Sequence, residues 1–135
     1  MERAVTIASG CNATEVAVLH VYRLNPDYSY LPTGARVISK DDRDSYQKIN
    51  EQIKLEGENI IEEAYNYLEA QGIKANKILK EGHPSHTIVE TAREKGYDMI
   101  IVGNRGRSGI KRQILGSVSS AVVQEVQDGS VLVVK

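Results

Sequence analysis

At 135 residues and 14.9 kDa the chain is the size of one domain with a single core. Its 41% apolar and 26% charged residues exclude a disordered or low-complexity chain. A formal net charge of −1 gives no overall pull toward nucleic acid or an anionic membrane, and the single cysteine, Cys11, excludes an internal disulfide. No apolar run approaches the roughly 20 residues of a membrane span, and residues near Met1 lack a signal-peptide pattern, so a cytoplasmic protein is expected. No internal repeat is visible, and residues 1–135 read as one domain.

Near the N-terminus, Ala4, Ile7, Ala8 and Cys11 fall at i, i+3, i+4 and i+7, which predicts an amphipathic helix over 2–11 with Gly10 and Asn12 as stop signals. The rival is a strand over Arg3–Ala8, with Val5 and Ile7 on one face. Only Ser9–Ala13 would then join it to the next strand, too short for the crossover that a parallel neighbour needs. Cys11 reads as a packing residue, since no base or orienting group can be placed beside it. Thr14–Tyr22 is a buried strand, continuously apolar from Val16 to Leu19, with His20 in a structural role. Residues 23–40 carry Asn25-Pro26, Pro32 and Gly34 and read as a long connection, in which Tyr28 and Tyr30 could stack on a base or a partner.

A long helix is predicted over 41–71, with Tyr46, Ile49, Ile53, Ile60, Ala64 and Leu68 on its apolar stripe and Gly72 closing it. Gly57 weakens its middle by about 1 kcal/mol relative to alanine and marks a bend. Glu51, Glu56, Glu62 and Glu63 form a solvated face. A strand over 73–79 follows, then the turn Glu81-Gly82-His83-Pro84. Proline suits the first helical position, so a helix is predicted over 84–95, with Ile88, Val89 and Ala92 inward and Gly96 at its end. His83 and His86 lack the further ligands that zinc requires.

Met99–Val102 is an apolar run too short for a helix, read as a strand buried on both faces whose carboxyl end points at a ligand crevice. Gly103 and Gly106 open a glycine-rich loop, Gly116-Ser117 closes it, and Val118, Ala121, Val122 and Val126 predict a helix starting at Ser117, with Ser117 as cap. Strand, glycine loop and helix start outline a phosphate cradle, because the glycines let backbone N–H groups approach an anion and the helix start adds more. Arg105, Arg107, Lys111 and Arg112 put four cations in the same segment. The plainer reading is that the glycines make turns and the cations coat a solvated surface. Gln127-Asp128-Gly129 is a turn, and Ser130–Val134 a last strand whose edge must be covered or paired. The alternation of strands and helices predicts an α/β, three-layer αβα, Rossmann-like fold with a mainly parallel sheet.

Gly103-x2-Gly106-x9-Gly116-Ser117 resembles the nucleotide-binding signature of the universal stress protein family, in its ATP-binding branch. Glu81-Gly82-His83-Pro84, Tyr97–Gly103, Gly106–Gly109, Leu115–Ser119, the closing Ser130–Lys135 and the upstream Glu15–Val21 resemble that family in order and spacing. The resemblance implies an adenine-nucleotide-alpha-hydrolase-like fold. It puts phosphates against Gly103, Arg105, Gly106, Gly116 and Ser117, with Val118 and Ser119 beside them and the backbone N–H groups and the Ser117 and Ser119 hydroxyls as donors. Val21 and Val102 would flank the adenosine part. It implies ATP with Mg²⁺ or Mn²⁺ as the ligand, a homodimer through Val131–Val134, and a role in stress response. The family often has Cys-Pro or Lys-Pro where this chain has Gly129-Ser130.

The beginning departs from the family. Residues 2–11 resemble the last turns of its first helix, and the first strand is missing together with the acidic residue that helps hold the adenosine. That strand lies in the middle of the family's sheet, so a gapped sheet, a rearranged N-terminus or a partner chain in the space is expected. Losing a charged hydrogen-bond acceptor costs about 1.5 to 3 kcal/mol, roughly ten- to a hundredfold in affinity. Two alternatives stand beside ATP binding. One is a truncated domain acting through protein contacts with little nucleotide binding. The other is a slow ATPase or an enzyme autophosphorylated at Ser117 or Ser119, although no strong catalytic base is visible near the cradle.

Overall fold

The computed structural model describes residues 1–24, 40–104 and 115–134. Helices and strands alternate along them: α1 (Glu2–Gly10), β1 (Val16–Tyr22), α2 (Lys40–Ala70), β2 (Ala75–Glu81), α3 (Pro84–Lys95), β3 (Met99–Gly103), α4 (Ser117–Glu125) and β4 (Ser130–Val134). The long connection with Tyr28 and Tyr30 lies outside the described residues.

Three of the four described helices, α1, α2 and α3, end alike. Asn12, Gly72 and Gly96 take positive φ angles of 50°, 77° and 71°, and the next residue's N–H reaches back five positions: Ala13 to Ala8, Ile73 to Leu68 and Tyr97 to Ala92. This closure satisfies carbonyls that the helix itself leaves open. It also explains why β2 begins at Ala75 rather than at the expected Ile73. The Ile73 N–H belongs to the end of α2 and is not free for the sheet.

β1 pairs in parallel with β2, Val16 opposite Ala75 through Tyr22 opposite Glu81. β3 pairs in parallel with β4, Met99 opposite Ser130 through Gly103 opposite Val134. The two pairs are separate sheets. Among the described residues this is the gapped sheet, one of the three arrangements expected. The gap corrects the burial expected of the strands: every residue of β1 is half-buried, and Met99 at the start of β3 is 41% exposed. A continuous apolar run implies cover on both faces, and with one described neighbour each these strands leave side chains beside their open edge partly exposed.

Alternation along β2 separates two helical layers. Lys77 pairs with Glu62 of α2 at 2.7 Å, and Lys80, of opposite parity, pairs with Glu94 of α3 at 3.5 Å. α2 thus covers one face of β1–β2 and α3 the other, giving a three-layer α/β architecture. On α2 the buried residues are Gly57, Ile61 and Leu68, whereas Ile49 is 42% exposed, so the stripe runs through Ile61 and leaves Ile49 out. Gly57 is the reason. A Cβ there would stand 3.0 Å from His20 Cδ2 and 3.2 Å from Leu79 Cδ1, so its bare backbone lets the helix lie close on the sheet. On the other face α3 packs against α4 around Val122, which is fully buried, with Ser85 and Thr91 at 1% exposure. Thr91 tolerates burial because its hydroxyl donates to the Thr87 carbonyl at 2.6 Å. Cys11, expected to pack, is exposed just beyond the end of α1.

Candidate functional site

The carboxyl end of β3 and the start of α4 are joined by three hydrogen bonds. Asn104 N–H donates to the Val134 carbonyl at 2.8 Å, Gly116 N–H donates to the Asn104 carbonyl at 2.9 Å, and the Ser119 hydroxyl donates to the Gly103 carbonyl. The strand end therefore sets where the helix starts. Gly116, not Ser117, is the N-cap of α4, with φ −59° and ψ 156°, and no side chain caps the helix. Ser117 is the first helical residue and is exposed, as is Val118.

This geometry leaves the N–H groups of Ser117, Val118 and Ser119 without an intrahelical acceptor, since the first intrahelical bond runs from Ser120 N–H to the Gly116 carbonyl at 2.9 Å. They add to the positive end of the helix dipole at an exposed rim. Sequence reasoning assigned the Ser119 hydroxyl as a donor to phosphate. That hydroxyl instead donates to the Gly103 carbonyl, and the residue is 5% exposed, so Ser119 fastens the start of α4 to the end of β3. That role was not readable from spacing, because it depends on which carbonyl the folded helix start meets.

Val21 and Val102 sit one residue before the ends of β1 and β3, half-buried at the carboxyl edges of the two sheet halves. Arg105, Gly106, Arg107, Lys111 and Arg112 lie outside the described residues. The cradle is thus described at Gly103, Gly116, Ser117, Val118 and Ser119.

The opposite, amino-terminal ends of the strands are tied together by one carboxylate. Glu15 Oε1 accepts from Asn76 Nδ2 at 2.8 Å and from Tyr97 Oη at 2.8 Å, linking β1 to the entrances of β2 and β3. Partial burial holds the Tyr97 phenol above its ordinary value, and its bond to Glu15 adds to the rise. A cavity of about 410 Å³ between α3, α4 and the entrances of β3 and β4 is lined by Val89, Arg93, Ile100 and Val126, at the end of the sheet remote from the cradle. Among the described residues no three His, Cys, Asp or Glu side chains converge around His83 and His86. Instead Ser85 Oγ lies 3.2 Å from His83 Nδ1 and donates to Glu125 Oε1 at 2.8 Å, fastening α3 to α4.

A parallel α/β domain in three layers, with an exposed helix start bonded to the carboxyl end of a strand, is a fold of the doubly wound, Rossmann-like class. The family model of the universal stress proteins matches residues 1–135. The chain is 36% identical over 124 residues to universal stress protein YxiE of Bacillus subtilis, covering 92% of this chain and 81% of that protein. It is 32% identical over 127 residues to universal stress protein MJ0577 of Methanocaldococcus jannaschii, covering 91% and 78%. The solved structure of MJ0577 superposes with a TM-score of 0.69 at 25% identity over 99% of this chain and 88% of that one. A universal stress protein solved in complex with cAMP superposes with a TM-score of 0.61 at 26% identity, covering 98% and 82%. The chain belongs to the universal stress protein family.

Proposed function

We propose that this chain binds an adenine nucleotide, ATP with Mg²⁺ or Mn²⁺, and acts in stress response as a cytoplasmic homodimer paired through Val131–Val134. The observation that carries the reading is the exposed start of α4, where the N–H groups of Ser117, Val118 and Ser119 are held open by the bonds of Gly116 to Asn104 and of Ser119 to Gly103. Phosphates would lie against Gly103, Arg105, Gly106, Gly116 and Ser117, and the adenosine between the edges that carry Val21 and Val102. The cAMP complex of a relative at 26% identity supports an adenine ligand for this family member. No cluster of carboxylates or histidines stands among the described residues to hold a cation, so a divalent ion would be ligated chiefly by phosphate oxygens. Among the described residues no helix is long and apolar enough to cross a membrane.

The split sheet favours a second reading, a domain that works through protein contacts with little nucleotide binding, because among the described residues Val21 and Val102 lie on separate sheets. Calorimetric titration with Mg-ATP separates the two. Micromolar binding that is lost in Gly106→Val and Gly116→Val, with the fold retained by circular dichroism, is the expected result. Gly116 has a φ of −59°, which valine adopts without strain, so loss of binding there reports on the cradle and not on folding. Wild-type affinity in both variants would refute the cradle. An unresponsive wild type would favour the second reading.

A further inference from the structure

The cavity at the entrances of β3 and β4 plays no part in the cradle. None of its described lining residues belongs to α1, β1, α2 or β2, so α3, α4, the β3–β4 pair and the turns between them enclose it. Its volume of about 410 Å³ falls within the range of small-molecule pockets, roughly 300 to 1,000 Å³. Val89 and Ala92 of α3, Ile100 of β3 and Val126 just beyond α4 are half-buried and give it an apolar floor.

The rim is acidic. Glu90, Asp98, Glu125 and Asp128 bring four carboxylates to it, against the guanidinium of Arg93 and the imidazole of His86. Two of these carboxylates are engaged: Arg93 pairs with Glu90 at 2.8 Å, Glu125 accepts from Ser85 at 2.8 Å, and His86 lies between them at 3.7 and 3.9 Å. The Asp98 and Asp128 carboxylates have no partner among the described residues. They share one corner, because the Ser130 N–H donates to the Asp98 carbonyl at 2.9 Å and a Cβ at Gly129 would stand 3.2 Å from that oxygen.

The end of α4 adds to the negative field. Unlike α1, α2 and α3 it has no left-handed closure: Val126 takes φ −67° and ψ 121°, and no backbone N–H of the described residues reaches the Val123, Gln124 or Glu125 carbonyl. Open carbonyls at a helix C-terminus favour a cation.

We propose that this cavity is a second ligand site, for a small organic cation made of an apolar body and a primary ammonium group. The body lies on Val89, Ala92, Ile100 and Val126. The ammonium, which has three donors and no acceptor, bonds the Asp98 and Asp128 carboxylates and the open end of α4. The same carboxylates repel an anion such as a nucleotide, so the site stands apart from the cradle.

Nuclear magnetic resonance titration of the isotope-labelled chain tests this with three probes of similar shape: cationic phenethylamine, neutral phenethyl alcohol and anionic phenylpropionate. Expected are saturable shifts of amides in 89–100 and 126–130 with the amine, at a Kd of about 1 mM or below, at least tenfold weaker binding of the alcohol, and no saturation with the acid. Asp98→Asn combined with Asp128→Asn removes both unpaired carboxylates and keeps the Asp98 carbonyl. It should weaken the amine at least tenfold and leave thermal unfolding unchanged. Equal affinity for amine and alcohol, wild-type affinity in the folded double variant, no saturation by the amine, or shifts centred on 117–119 would each overturn the proposal. Should the double variant unfold, the comparison of the three probes on the wild-type chain decides.

Discussion

Ser119→Ala tests whether the start of α4 is held in place by its bond to β3. Ser119 is 5% exposed and its hydroxyl donates to the Gly103 carbonyl. A neutral hydrogen bond contributes about 1 kcal/mol net, and alanine's better helix propensity returns roughly half of that. Gly103 lies at an exposed strand end, where water can replace the lost donor, so the loss stays near the lower limit, about 0.5 to 1 kcal/mol. For a domain of this size that lowers the melting temperature by roughly 2 to 4 °C. Losing up to ~1 kcal/mol of preorganisation from the N–H groups weakens nucleotide binding by up to about fivefold. Ser120→Ala is the internal standard. It makes the same chemical change one residue on, where the hydroxyl only accepts a long 3.4 Å bond from Gln124 Nε2, so it should leave melting and binding unchanged or raise stability slightly. Calorimetric melting and Mg-ATP titration of both variants provide the comparison. If the two alanine variants melt and bind alike, the bond to Gly103 does not hold the cradle and the reasoning fails.

Tyr97→Phe removes one of the two bonds to Glu15 and is expected to lower the urea midpoint at neutral pH. Because the folded-state value of the Tyr97 phenol lies above its ordinary 10.0, its contribution is complete below that pH and is lost as the pH climbs through the folded value. The phenylalanine variant should therefore lose stability less steeply above pH 10.0, and parallel curves would contradict the assignment. Gly72 has a φ of 77° with nothing within 4 Å of a Cβ built there, so Gly72→Ala should cost about 1 to 2 kcal/mol through the backbone alone. Gly10 has equally open space and an ordinary helical φ, and Gly10→Ala should gain up to about 1 kcal/mol; chemical denaturation showing the same sign for both would refute the distinction.

Punctuation that acts locally was legible in the sequence. Asn12, Gly72 and Gly96 closed the helices they were expected to close, and Pro84 opened α3, because positive φ and a missing N–H are properties of single residues. Ser130–Val134 has the expected bounds for the same reason: Gly129, with a φ of 120°, turns the chain immediately before it. What depended on neighbours distant in the chain was misread. Gly57 looked like a weak point of α2 and is instead where the helix comes closest to His20 and Leu79, which moves the stripe onto Ile61. The continuous apolar runs of β1 and β3 imply double-sided strands, and nothing within a run tells whether its second neighbour is present. The N-terminal departure from the family pattern anticipated an interrupted sheet, but where the interruption falls required knowing which strand edges meet. At the cradle, the Gly116-Ser117 spacing placed the helix start to within one residue, while the role of Ser119 depended on a carbonyl sixteen positions away.

Glu15 ties the strand entrances at one end of the gap, and the exits are bonded, among the described residues, within their own halves, Gly82 to Tyr22 and Asn104 to Val134. Among the described residues the halves are thus joined side chain to side chain at the Glu15 end, with Val21 and Val102 at the other end of their strands.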